Sequence, residues 1–410
     1  MTLMFRRRPG VAELVRKDPV LAIAVVLALA SCVAVPPDAG YLGYVDLRTI
    51  GMLFSLMTVM AGLARLGVFA AACRRLLLVA RGPRRLCLAL SLLTFFSSML
   101  ITNDVALVTF VPLGLLALGA LGSERLTCFT VVMMTIAANL GSMFTPVGNP
   151  QNLYLYSISH MGMGEFLLLM LPYTLGALAL LALVVWLFGR AAVKDAGPAQ
   201  DAGPARDAGT QDAGTQGAGL QGTSERVADA QAGTPEHVSL ARMLPWLAVF
   251  ACALLSVAHV LPFQVTVVAA LAVGAVVDRK ALANVDYALL ATFVAFFVFV
   301  GNMGRIQVVD EFIAQMVTGH ELAVSVAASQ VLSNVPAAIL LSGFTSDWPA
   351  LIVGTNLGGL GTLIASMASL ISYKQLALVL PHAKGRYLVQ FTLWNVAFLA
   401  VLLGLHLLVG

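Results

Sequence analysis

Apolar residues in this chain gather into long runs separated by short polar or basic segments. A helix needs about 20 such residues to cross a hydrocarbon core of roughly 30 Å. Nine runs come close enough to that length, near 20–36, 48–72, 127–147, 165–189, 243–261, 264–278, 284–301, 349–372 and 387–409, the sixth being the shortest. Two further apolar stretches, 86–120 and 320–345, carry a polar cluster at their middle: Thr102-Asn103-Asp104 in one, Ser333-Asn334 followed by Pro336 in the other. Non-helical backbone at membrane depth survives only where protein or a water-filled cavity surrounds it, so both are expected as re-entrant hairpins with the cluster at the tip.

Composition agrees, with 60% hydrophobic and 11% charged residues, and the runs leave no room for a separate soluble core. The net charge of +4 is spread in small clusters between runs, which reflects membrane orientation and gives no reason to expect a nucleic-acid partner. Lys and Arg accumulate on the cytoplasmic side. With the N-terminus inside, Arg74/Arg75, Arg81/Arg84/Arg85, Arg190/Lys194, Arg279/Lys280 and Lys374/Lys384/Arg386 all fall on that side, and the C-terminus falls outside. The first hairpin then enters from the cytoplasm and the second from outside. Arg6, Arg7, Arg8, Arg16 and Lys17 before the run from Pro19 to Val35 superficially resemble a signal peptide, but without a small-residue cleavage site the run reads as a first anchor. The expected location is the cytoplasmic (inner) membrane.

Between Arg190 and Val238 an Asp-Ala-Gly pattern repeats at Asp195, Asp201, Asp207 and Asp212. It cannot bury a core and is expected as a disordered cytoplasmic linker over 190–240. The linker separates an N-terminal half, 1–189, from a C-terminal half, 241–410. The halves correspond without a gap at an offset of 217 residues. Asn139-Leu140-Gly141 lies over Asn356-Leu357-Gly358, Thr145 over Thr362 and Leu153 over Leu370. Gly148 and Pro150 within the first copy predict a broken helix over 127–152, and the matching segment 349–372 is expected to break likewise. Broken helices expose N–H groups at one end and carbonyls at the other, a chemistry that holds anions and cations. The expected fold is an all-α integral membrane protein of about nine transmembrane helices plus two re-entrant hairpins, in two inverted repeats.

The segments Ile101-Thr102-Asn103-Asp104-Val105-Ala106, Thr145 to Asn152, Leu332-Ser333-Asn334-Val335-Pro336-Ala337 and Gly354-Thr355-Asn356-Leu357-Gly358-Gly359 resemble the ion transporter superfamily. The likeness is to its citrate-transporter-like permeases, which include divalent anion/sodium symporters and arsenite permeases. The resemblance implies a secondary transporter moving a small citrate- or dicarboxylate-like anion with sodium or protons, and a homodimer. In the symporters both tips read Ser-Asn-Thr and bind carboxylate and sodium; here they read Thr-Asn-Asp and Ser-Asn-Val. Candidate substrate ligands are Asn103, Asn334, Asn149, Gln151, Asn152 and Thr362. Candidate coupling-ion ligands are Thr102, Asp104, Thr145, Gly148, Ser333 and Asn356, the ion being sodium where it is a metal.

Asp104 is an ionisable group expected at membrane depth and therefore a functional candidate. It would complete a sodium site with Thr102 and Ser333, carry a proton, or cap the second helix of its hairpin. The asparagines could equally satisfy broken backbone, and Ser366 and Ser369 fit close packing better than binding. Gly354 and Gly358 form a GxxxG spacing that suits packing as readily as access. Arg305 would attract anions or snorkel to the interface. Cys32, Cys73, Cys87, Cys128 and Cys252 show no metal spacing, and neither do His160, His259, His320 and His382. No HExxH or GxSxG motif or acidic pair lies in the spans, so an enzyme is not expected. The alternatives are a sodium/proton antiporter, in which Asp104 exchanges cations, and an arsenite or oxyanion export permease. A reporter active only outside the cytoplasm should be active when fused after Gly410 and silent within the 190–240 linker; the opposite pattern would invert the assigned orientation.

Overall fold

The computed structural model describes residues 19–79, 82–119, 121–194 and 240–409. All regular elements among them are helical. The basic N-terminal cluster and nearly all of the expected linker lie outside the described residues.

In chain order the helices are α1 (Pro19–Ala34), α2 (Leu47–Arg65), α3 (Val68–Val79), α4 (Pro83–Ser98), α5 (Asn103–Gly119), α6 (Glu124–Ser142), α7 (Pro150–Ser159), α8 (Met163–Lys194) and α9 (Leu240–Val257). They continue as α10 (Phe263–Val277), α11 (Arg279–Ala283), α12 (Tyr287–Met303), α13 (Gln307–Val317), α14 (Glu321–Leu332), α15 (Asn334–Ser342), α16 (Trp348–Leu357), α17 (Met367–Val379) and α18 (Lys384–Val409). Several starts are written locally. The Asp46 carboxylate accepts from Arg48 N and Thr49 N at 3.0 and 3.2 Å, Asp286 accepts from Leu289 N at 2.9 Å, and Asp347 from Ala350 N at 3.1 Å, each meeting an N–H the helix cannot pair itself. Pro83 and Pro150 open α4 and α7, where the missing N–H costs nothing.

Among the described residues five helices are long and apolar enough to cross a membrane: α2, α6, α8, α9 and the last, with the α12–α13 pair, bent by 104°, as a sixth. Several other expected spans are short or divided. The run 48–72 is cut after Arg65, where Gly67 at φ +75° ends the helix before α3 begins. Span 349–372 separates into α16 and α17, and 127–152 into α6 and α7. The stretches 86–120 and 320–345 are each two helices around a short break, α4–α5 and α14–α15.

Helix α6 lies at the centre, with every residue from Leu126 to Ser142 buried. It packs on α4, α5, α8, α17 and α18. In the C-terminal half, α16 packs on α14 and α15. The second pieces cross over: α17 lies against α5, and α7 against α15. Around this crossing, α2 packs with α9 and α10, and α1 with α12. At one end Asn302 donates to Ser31 Oγ at 2.9 Å and Tyr41 OH at 2.8 Å, and Arg305 pairs with Asp38 at 2.8 Å. The hydrogen bond from that guanidinium holds the Asp38 carboxyl below its usual range. Arg305 is thus engaged with a neighbouring loop.

Small residues let the broken helices approach the hairpins. A Cβ at Gly141 would fall 2.1 Å from Phe95 O, and one at Gly358 2.7 Å from Ser329 Oγ; at Gly354 it would lie 2.0 Å from Ser325 Oγ and 2.9 Å from Leu322 O. The GxxxG pair therefore serves packing, as small residues do between membrane helices. Gly354→Leu should lower unfolding free energy by roughly 1–3 kcal/mol or more through overpacking, measured by thermal unfolding in detergent. Gly404→Ala, which meets open space, should leave it unchanged or slightly raised.

Candidate functional site

The two hairpin tips make the same contacts. Asn103 N donates to Gly148 O at 3.2 Å and Asn334 N donates to Ala365 O at 3.0 Å, so each tip rests on the break of its own half. Each asparagine side-chain oxygen also accepts from the next backbone N–H, Asp104 N at 2.9 Å and Val335 N at 3.0 Å. The second tip is tighter. Ser333 alone separates α14 from α15, at φ +77° and ψ 153°, a region that is essentially glycine's own and costs about 1–3 kcal/mol for other residues.

The breaks themselves turn alike. Gly148 N donates to Thr145 O at 3.3 Å and Oγ1 at 3.2 Å; Ala365 N donates to Thr362 O at 3.1 Å and Oγ1 at 3.2 Å. Thr145 Oγ1 donates to Met99 O and Thr362 Oγ1 to Gln330 O at 3.0 Å, each four residues before the tip asparagine. Orphaned carbonyls at the helix ends are met differently. Asn152 Nδ2 lies 3.4, 3.3 and 3.3 Å from the Ser142, Met143 and Thr145 carbonyls. In the other half Gln330 Nε2 donates to Gly358 O and Leu360 O, both at 2.9 Å, while its Oε1 accepts from Thr362 N at 2.9 Å.

Between the halves two pairs cross. Asn139 Nδ2 donates to Ser369 Oγ at 3.4 Å and Asn356 Nδ2 to Asn152 Oδ1 at 2.6 Å; these positions exchange under the 217-residue offset. Asn139 Oδ1 also accepts from Asn103 Nδ2 at 3.2 Å and Ser366 Oγ at 3.0 Å, joining the first hairpin to the second break. Four helix N-termini consequently meet here, those of α5, α7, α15 and α17. The caps before α7 and α17, Asn149 and Ser366, have extended backbones and make no side-chain cap bond. The surrounding side chains are neutral amides and hydroxyls. Asn149 Oδ1, Asn356 Oδ1 and both amide atoms of Gln151 are buried without a hydrogen-bond partner, an arrangement that costs about 1–3 kcal/mol per group unless something else pairs with it.

Of the expected ligands, the structure brings Asn103, Asn334, Asn149, Asn152 and Asn356 into one network of hydrogen bonds, and Gln151 is buried in the first turn of α7 with both amide atoms unpaired. Thr145 and Thr362 hold the turns, and Thr362 is exposed. Gly148 is required by packing, since a Cβ there would sit 2.1 Å from Ser142 O. Asp104 has a buried Oδ1 without a partner, and the hydrogen bonds that gather the asparagines do not include its carboxylate. The capping oxygen at this tip is that of Asn103. Thr102 is half-buried beside it, and Ser333 Oγ reaches Ala365 O at 3.5 Å. Asn139, Ser366, Ser369 and Gln330 emerge as further members. Asn139 was signalled by its alignment with Asn356, and Gln330 by being the one glutamine in the apolar stretch 320–345. Among the described residues no group of three His, Cys, Asp or Glu could hold a metal ion.

Comparison with known proteins follows the same lines. A family model described as a citrate transporter matches residues 3–346. An uncharacterized transporter of Methanocaldococcus jannaschii is 30% identical over 302 residues, 72% of each chain. The inner membrane protein YbiR of Escherichia coli is 27% identical over 338 residues, 80% of each. The silicon efflux transporter LSI3 of Oryza sativa subsp. japonica is 34% identical over 136 residues, covering 33% of this chain and 28% of its own.

Gln330→Ala would strip two carbonyls and one N–H of their partner. It should lower unfolding free energy by about 1–3 kcal/mol or more, read by thermal unfolding, whereas Thr362→Ser, which keeps the hydroxyl, should change it little.

Proposed function

This chain belongs to the citrate transporter family (CitMHS), and from that premise we propose that it carries a small, oxygen-rich anion across the cytoplasmic membrane by alternating access, coupled to sodium or protons. The observation that carries this reading is the meeting of four helix N-termini at buried, neutral amides. Each terminus presents roughly half a positive charge; the leading N–H groups of α5 and α15 bond within the protein, while those of α7 and α17 receive no side-chain cap. An anion is thereby held without an arginine or lysine, whose full charge would bind too tightly for release.

The substrate ligands are Asn103, Asn334, Asn149, Gln151 and Asn152, with Asn139 and Asn356 bracing them. The cation sits on the opposite chemistry. Carbonyls of Ser142, Met143 and Thr145 end α6 beside the tip that bears Thr102 and Asp104, and hard oxygen ligands suit sodium. Asp104 serves as a sodium ligand or as the proton carrier. Coupling arises because a ligand shifts a conformational equilibrium only by its differential affinity, and both ligands share the contact between tip and break.

The same recurrent contacts support an inverted-repeat architecture of nine spans and two re-entrant hairpins, with residues 1–189 and 241–410 as halves joined by the 190–240 linker. Short helices such as α1 and α10 then span where the protein thins the bilayer or tilts little. The N-terminus is cytoplasmic, the C-terminus external, and the working unit a homodimer.

A second reading has its own observation. Three of the unpaired amide atoms are acceptors, Asn149 Oδ1, Gln151 Oε1 and Asn356 Oδ1, which favour a ligand rich in O–H donors. An undissociated hydroxy acid of a metalloid fits that demand, as does the name of the rice relative.

Uptake into proteoliposomes of labelled citrate, succinate, arsenite and silicic acid, each under a sodium gradient, a proton gradient or none, tests both. The expected result is gradient-driven uptake of a carboxylate, reduced at least tenfold in Asn103→Ala and Asn334→Ala. Transport of arsenite or silicic acid alone would establish the second reading, and transport of none would remove both. Asp104→Asn should abolish coupling to the driving gradient; unchanged coupling would exclude Asp104 as its carrier.

A further inference from the structure

Away from the crossing, an open cavity of about 690 Å³ lies between the start of α6 and the start of α18, lined by Gly122, Ser123, Glu124, Arg125, Arg386 and Gln390 among others. We propose that this cavity binds the phosphate headgroup of an anionic phospholipid.

Two guanidinium groups from different helices face one space, Arg125 and Arg386, and Arg is the side chain whose forked donors match phosphate oxygens. One carboxylate shares the cavity: Glu124 accepts from His382 Nε2 and lies 3.5 Å from Arg386 Nη1, so two guanidinium groups stand against a single negative charge and the lining stays net positive. The rim has no side chains to obstruct a headgroup at Gly122 and Gly385, where an added Cβ would meet open space, and Gly122 at φ +65° turns the chain back into α6. The first turn of α6, with Ser123 bonded to Leu126 N at 3.3 Å, adds N–H groups on the same side. Gln390 contributes a buried side-chain oxygen without a partner, suited to a headgroup hydroxyl.

A lipid is favoured over free phosphate by what lies next to the cavity. Val389, which lines it, begins an apolar stripe on α18 that continues through Leu393 and Val396, exposed by 60%, 65% and 51%. Spacings of four and three place these residues on one face. Acyl chains laid along that stripe would leave the phosphate at the two arginines, the arrangement by which basic pockets between membrane helices hold acidic headgroups.

The test uses the purified full chain in neutral detergent, titrated with phosphatidylglycerol, with phosphatidylcholine of the same acyl chains, and with inorganic phosphate. Bound lipid is counted by native mass spectrometry and stability followed by thermal unfolding. Phosphatidylglycerol should bind in preference to phosphatidylcholine and raise the unfolding temperature, and the Arg125→Gln/Arg386→Gln double variant should bind it about tenfold or more weakly. Equal affinity in the variant, or no preference between the two lipids in the unmodified protein, overturns the proposal; the second readout stands even if the variant fails to fold. Stabilisation by inorganic phosphate alone, equal to that by phosphatidylglycerol, would assign the cavity to free phosphate and overturn the lipid reading. Transport is not a readout here, so the outcome is independent of the function proposed above.

Discussion

A helix that stops inside a membrane leaves carbonyls and N–H groups that lipid cannot satisfy, and at the candidate site four such stops come together, two tips and two breaks. Everything else in the site follows from how those groups are met. Tips and breaks are set against one another so that each supplies what its neighbour lacks: Asn103 N takes Gly148 O, and Asn334 N takes Ala365 O. Threonine hydroxyls close the turns, and amide side chains reach the remaining carbonyls.

That economy separates two kinds of polar residue which look alike in composition. Thr145, Thr362 and Gln330 have their hydrogen bonds within the protein and maintain the breaks. Asn149, Gln151 and Asn356 keep buried atoms without a hydrogen-bond partner in the protein. A buried amide left in that state carries a desolvation cost that the bonded amides do not. Asn139 and Asn152 stand between the two kinds, since they are bonded across the halves and so make each half's site sensitive to the other's position.

The halves are not equivalent in their means. Where α6 ends, Asn152 beyond the break turns its amide back toward the carbonyls; where α16 ends, Gln330 arrives from the hairpin, at a position occupied in the first half by Met99. The first tip has four residues between its helices and the second has Ser333 alone, held at φ +77°. Backbone strain of this kind persists only where surrounding contacts over-determine it, and here those contacts are the bonds to Ala365. The carboxylate of Asp104 belongs to the longer of the two tips.

The apolar spans, the helical class and the places where helices stop and restart within 86–120, 127–152, 320–345 and 349–372 were legible in the chain, because lipid imposes long apolar runs and makes each polar interruption conspicuous. The correspondence of the halves was legible too, through Asn139 and Asn356. What the chain could not disclose was which polar side chains face inward and with whom they pair, since an amide that braces a carbonyl and one left unpaired are the same residue. Only the tertiary structure turned Thr362 and Gly148 into parts of the scaffold, made the GxxxG pair a packing surface, cut the run 48–72 at Gly67, and brought Asn139 to Ser369 from 230 residues away. Contacts between segments so distant depend on how the two halves pack, and no local pattern along the chain encodes that packing.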